Sequence, residues 1–182
     1  TESATYRPLG NEYRAVRVGA DPVYWGAVGL LHDFDYERFP EAPDHPLKGA
    51  EILRARGYPE EFVRTIMSHV TQVGVPREND CARWLYAVDE LCGFCTACAM
   101  VQPDRKIAAV EVRSVIKKLK KKDFAAKVNR EEIAEGAQEL GLTQEEVIAH
   151  VLAALTGAAD ELGRRGPEMP RWPDTRLQSL FG

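Results

Sequence analysis

From Val23 to Leu162 the apolar residues recur at helical spacing, and no stretch alternates Val, Ile, Thr and aromatics as a half-buried strand would. That pattern restricts the chain to an all-α fold, a helical bundle. The helices are punctuated. Pro46 sits where a first helical position would, with His45 as N-cap, and Gly57 closes that segment. The next opens at Pro59 with Glu60 and Glu61 in its first turn and is expected to run to about Val73. A long helix is predicted over about Cys81 to Met100, and another over Val110 to Lys122. Asn129 with Glu132, and Thr143 with Glu146, form the S/T/N-x-x-E spacing of a capping box and mark the starts of the last two helices.

Residues 1–162 are therefore expected to form one helical core, with 1–22 an atypical N-terminal segment and 163–182 a Pro- and Arg-rich tail packed by Trp172 and Phe181. A chain of 182 residues with 45% apolar and 29% charged residues can sustain such a core without disulfides. Its longest uncharged apolar run, Pro22 to His32, is about half of the ~20 residues that cross a bilayer. No membrane span is expected, and with no visible signal peptide and few cysteines a cytoplasmic location is the default. With 24 Lys and Arg against 28 Asp and Glu, the net charge of −4 argues against general nucleic-acid binding.

The sharpest local feature is Leu30-Leu31-His32-Asp33-Phe34-Asp35-Tyr36, an adjacent His and Asp at the end of an apolar segment expected to be a helix buried on every side from Val23 to about Tyr36. A carboxylate and an imidazole taken out of water cost several kcal/mol unless paired or bound to metal. His32 and Asp33 thus read either as a brace of the helix end or as ligands. Asp89 neighbours Leu85, Tyr86, Cys92 and Gly93 on its helix and emerges beside an apolar face, where a salt bridge is the alternative to a cation. His69 falls on the stripe Phe62, Ile66, His69, Val73, and His45 lies at a helix start near an acidic loop; each is a core histidine or a ligand. His150, on a predicted helix between Ile148 and Val151, is assigned no role.

Cys92, Cys95 and Cys98 have a C-x-x-C-x-x-C spacing that suggests an iron–sulfur run, but they sit within one amphipathic helix and lack a nearby fourth thiolate, so they read as small core residues. From Gln102 to Arg130 there are ten Lys and Arg and three Asp and Glu, a local balance of +7. Because successive helical residues step by about 100°, the lysines at 117, 118 and 120–122 cannot share one face, and most form a solvated one.

The runs VGLLHDFDYERFP, HPLKGAEIL, IMSHV, LYAVDEL and SVIKKLKKKDFAAKVNREEI with GAQELGL resemble a bacterial branch of the HD-domain metal-dependent phosphohydrolase superfamily, over about Trp25 to Leu162. The resemblance implies an HD-domain helical bundle and hydrolysis of a phosphate ester, of a nucleotide or a related small phosphorylated molecule. It implies His32, Asp33 and Asp89 as metal ligands. His69 and His45 match further histidines that bind a second metal or contact phosphate. It favours Lys117 and Lys118 as phosphate-binding residues. Asp35 or His69 would orient the attacking water or protonate the leaving group. The mixed N and O set suits a divalent ion and does not separate Mn, Fe, Ni, Zn and Mg. The sequence departs from the family in one place. Members carry another His on a helix before the His-Asp pair, whereas residues 1–31 contain none, and Arg7, with Pro8 and Gly10 beside it, lies about where that His should be. Either that His precedes this sequence or the site has lost a ligand, and in the second case the alternative reading is a degenerate HD domain that binds a nucleotide or partner without turnover. Two-iron oxygen chemistry, known on this fold, would need more histidines than the chain offers.

Overall fold

A computed structural model describes residues 20–161 of the chain; Arg7, the segment 1–19 and the tail at 163–182, with Trp172 and Phe181, lie outside the described residues. Among the described residues there are seven α-helices and no strand. They are α1 (Pro22–Leu31), α2 (Asp44–Ala55), α3 (Glu60–Met67), α4 (Asp80–Met100), α5 (Val112–Leu119), α6 (Arg130–Glu139) and α7 (Gln144–Glu161). Single 3-10 turns stand at Thr71–Val73 and Ile107–Ala109. The chain divides into two compact units, Thr1–Tyr86 and Ala87–Gly182, with the break inside α4. None of the described helices is long and apolar enough to cross a membrane.

Within the first unit α1 packs on α3, and α2 on α3. Asp21 caps α1 by accepting the Val23 N–H at 2.9 Å. The helix expected to reach Tyr36 ends at Leu31, and residues 32–38 form consecutive turns. His32 ends the helix by bonding back through Nδ1 to the Gly29 carbonyl at 2.8 Å, and the Asp35 carbonyl then accepts from the N–H groups of Arg38 and Phe39. Nor is α1 buried all round. Trp25, Gly26 and Val28 are buried, but Val23 and Leu30 are exposed. His45, in extended conformation (φ −82°, ψ 127°), interrupts α2, so the regular helix starts at Pro46 as its ring predicts. Gly57 (φ 80°) follows its end in the left-handed region that an L side chain avoids.

The third helix stops at Met67, six residues before the expected Val73. Three bonds close the turn that replaces its last stretch: Ser68 Oγ donates to the Thr65 carbonyl at 2.8 Å, and the His69 N–H and Nδ1 both reach the Ile66 carbonyl. A side chain that bonds the backbone of the preceding turn competes with the helix ladder, which is why a helical stripe in sequence becomes a turn here.

In the second unit α5 and α6 pack on α7 around Leu91, Phe94, Val115, Ile133, Ile148 and Val151. Gly136 lets α6 approach closely: a Cβ there would lie 2.5 Å from the Ala87 Cα. Both capping positions behave as predicted. Asn129 Oδ1 accepts from the N–H groups of Glu131 and Glu132, and Thr143 and Glu146 complete a reciprocal box at 2.8 and 3.2 Å.

The fifth helix ends at Leu119, not at Lys122, because Arg130 gathers the carbonyls that would have continued it. Its guanidinium donates to Leu119 (3.1 Å), Lys121 (3.0 Å), Ala125 (3.4 Å), Val128 (3.0 Å) and Phe124. It also lies 5.5 Å from the Phe94 ring centroid. These bonds hold Ala125 at φ 46°, a left-handed conformation that costs an L residue about 1–2 kcal/mol.

Candidate metal centre

The turn after α1, the start of α2 and the turn after α3 bring together five of the residues expected from sequence: His32, Asp33, Asp35, His45 and His69. His45 and His69 are buried, whereas the side chains of Asp33 and His32 are about a quarter and a fifth exposed. Their Nε2 atoms are 3.2 Å apart. Asp33 Oδ1 is 3.3 Å from the first and 3.4 Å from the second. His32 Nε2 approaches the other oxygen, Oδ2, at 3.5 Å, and the His32 ring meets that of His69 edge-on at 5.2 Å.

Hydrogen bonds behind the rings decide which nitrogen carries the proton. His69 Nδ1 lies 2.6 Å from the Ile66 carbonyl, and His32 Nδ1 lies 2.8 Å from the Gly29 carbonyl. A carbonyl only accepts, so both Nδ1 atoms donate. His45 Nδ1 lies 2.9 Å from Asp35 Oδ1, and a carboxylate likewise accepts. In the neutral imidazoles, therefore, every Nε2 presents a lone pair. Two of those lone pairs and a carboxylate oxygen converge within 3.4 Å, an arrangement of acceptors that a proton, a cation or a hydrogen-bond donor between them would satisfy. Asp33, His45 and His69 form a group that could hold a metal ion, with ligand atoms all within 4.8 Å of one another. Imidazole nitrogen with carboxylate oxygen suits first-row divalent ions, and a second shell that fixes each Nδ1–H is what such ligands ordinarily have.

Burial lowers the proton affinity of His45, but hydrogen bonds and charge from Asp33 and Asp35 more than reverse this, and its pKa stands above the ordinary 6.5. Asp35 is itself buried. Its Oδ2 accepts the Gly49 N–H at 2.8 Å, so both of its oxygens are engaged by α2. The Tyr36 ring stands edge-on to His45 at 5.3 Å.

The remaining expected residues belong to the second unit. Asp89 is half-buried on α4. Lys117 is exposed on α5, and Lys118 Nζ lies 5.8 Å above the Phe124 ring. His150 is half-buried on α7. The cysteines are free thiols. Burial pushes Cys81 and Cys98 up to about 12 and about 11, and Cys95 well above its ordinary value; burial, with the charge of Asp89, raises Cys92 to about 12. Among the described residues no cysteine joins a group with metal-ligand spacing.

The sequence reading missed Gly49 and the carbonyls of Gly29 and Ile66. Gly49 had a legible signal, since it lies four residues after His45 and so on the same side of α2. The two carbonyls had none. Comparison with known proteins finds no matching family model, and neither a curated protein nor a solved structure similar to this chain.

Proposed function

We propose that this chain is a metal-dependent phosphohydrolase of the HD-domain type, acting on a nucleotide or related small phosphorylated molecule. The observation that carries the metal half is the convergence of His45 Nε2, His69 Nε2 and Asp33 Oδ1, with each histidine's other nitrogen already committed to a protein acceptor. The phosphate-ester half rests on the sequence resemblance. A divalent ion held there would lower the pKa of a bound water toward about 7 and neutralise charge developing on a phosphoryl group. On this reading Asp33 joins the His32 side and the His45–His69 side, with Oδ2 facing His32 and Oδ1 facing both His45 and His69. The Ile66 and Gly29 carbonyls hold the rings of His69 and His32 in register, so those ligands need no reorganisation on binding. The ligand role of Asp89 and the phosphate role of Lys117 and Lys118 come from the sequence, and single alanine variants test them.

The full chain loaded with Mn²⁺ or Zn²⁺ is expected to release inorganic phosphate from p-nitrophenyl phosphate or from a nucleoside 5′-monophosphate, and His45→Ala and Asp33→Ala to abolish release. A chain that binds no divalent ion and turns over neither compound sinks the proposal. If the site has lost the ligand that the family carries before the His-Asp pair, the second reading is a nucleotide-binding module without catalysis. Saturable nucleotide binding with no phosphate released by the metal-loaded chain would select it.

A further inference from the structure

We propose that Asp35 is a positioning residue that, braced between His45 and the Gly49 backbone, fixes His45 in the tautomer whose Nε2 faces Asp33 and His69. Its consequence for affinity rests on the metal reading above. The Asp35 side chain is only 2% exposed, with Oδ1 2.9 Å from His45 Nδ1 and Oδ2 2.8 Å from the Gly49 nitrogen. An ionised carboxylate accepts and cannot donate, so the His45 proton is held on Nδ1 and, in the neutral ring, the lone pair on Nε2. His45 and Gly49 lie one turn apart on α2, and the carboxylate therefore ties the imidazole to the backbone of its own helix. Space at position 49 is part of the device. A Cβ there would stand 2.7 Å from both Cγ and Oδ2 of Asp35, so only glycine admits the carboxylate. Asp35 thus acts through His45.

The test reads ring-nitrogen chemical shifts of the ¹⁵N-labelled, metal-free full chain, followed by Zn²⁺ titration. In the wild type His45 is expected as the Nδ1–H tautomer above the pKa of its ring. Asp35→Asn offers one acceptor and two donors where the carboxylate offered two acceptors, so it cannot serve both His45 Nδ1–H and the Gly49 N–H. The expected result is a ring shifted toward the Nε2–H tautomer and Zn²⁺ affinity reduced about 10–100-fold. Gly49→Ala displaces the carboxylate from the other side without changing any polar group, and is expected to act in the same direction. Wild-type His45 found as the Nε2–H tautomer overturns the proposal. So does a folded Asp35→Asn or Gly49→Ala chain with unchanged ring shifts. A wild-type chain that binds no Zn²⁺ overturns the metal reading instead, while the ring measurements still decide the role of Asp35.

Discussion

The turns that carry His32, Asp33, Asp35, His45 and His69 and the stretch of α4 that carries Cys92, Cys95 and Cys98 hold the same kind of residue, potential metal ligands at close spacing, and treat them oppositely. Around the histidines every Nδ1 meets an acceptor, which leaves the Nε2 atoms aimed at the one carboxylate of Asp33. Around the cysteines there is mostly apolar packing, and burial keeps the thiols protonated. A ligand needs a deprotonated donor atom and a second shell that holds it, and spacing along the chain supplies neither.

The largest expected effect breaks the first region. His45→Ala removes one converging donor and leaves the buried Asp35 carboxylate without its imidazole, so divalent-ion affinity should fall at least about 100-fold and stability by about 3–5 kcal/mol. Isothermal titration and urea unfolding measure the two; unchanged affinity would show that the convergence binds nothing. Gly136→Ala strikes the helical region through packing alone. Its Cβ would press on the Ala87 backbone, and a loss of about 1–3 kcal/mol is expected in urea unfolding, with metal affinity unaltered.

Protons separate the regions more gently. Because the carboxylates raise the pKa of His45, their stabilisation of the metal-free protein is fully present below about pH 6.5 and is lost as the pH rises through the raised value. A cation competes with that same proton, so its affinity should climb over the same range, by up to tenfold per pH unit, as read by titrations at stepped pH. Affinity independent of pH there would exclude His45 as a ligand. The buried thiols act in the same direction at higher pH. Unfolded cysteines ionise near pH 9 while the buried ones remain neutral to about 11 or 12, so the unfolded state binds fewer protons and stability declines as the pH rises from 9. Replacing Cys92, Cys95 and Cys98 with alanine is expected to flatten that decline in thermal scans and to leave bound metal unchanged. Loss of metal in that variant would erase the contrast between the regions.

Much of this was legible beforehand because it is local. Pro46 and the boxes at Asn129 and Thr143 fixed helix starts, since a missing N–H or a capping oxygen acts on its own turn. The apolar pattern predicts helix ends at Tyr36, Val73 and Lys122 that lie beyond the observed ones. Each was cut by a side chain bonding backbone carbonyls: His32 to Gly29, His69 to Ile66, and Arg130 to five residues of its loop. A periodic apolar pattern carries no record of such bonds.

The sequence by itself determined that this protein is helical and which imidazoles and carboxylates it has to work with, because periodicity, proline and capping chemistry act within a few residues. Only the tertiary structure decided that His45, His69 and Asp33 converge, that Asp35 stands behind His45, and that Gly49 makes room for it. Those relations join residues 10 to 36 positions apart, and the direction of an imidazole lone pair is set by whatever acceptor the fold brings to the opposite nitrogen.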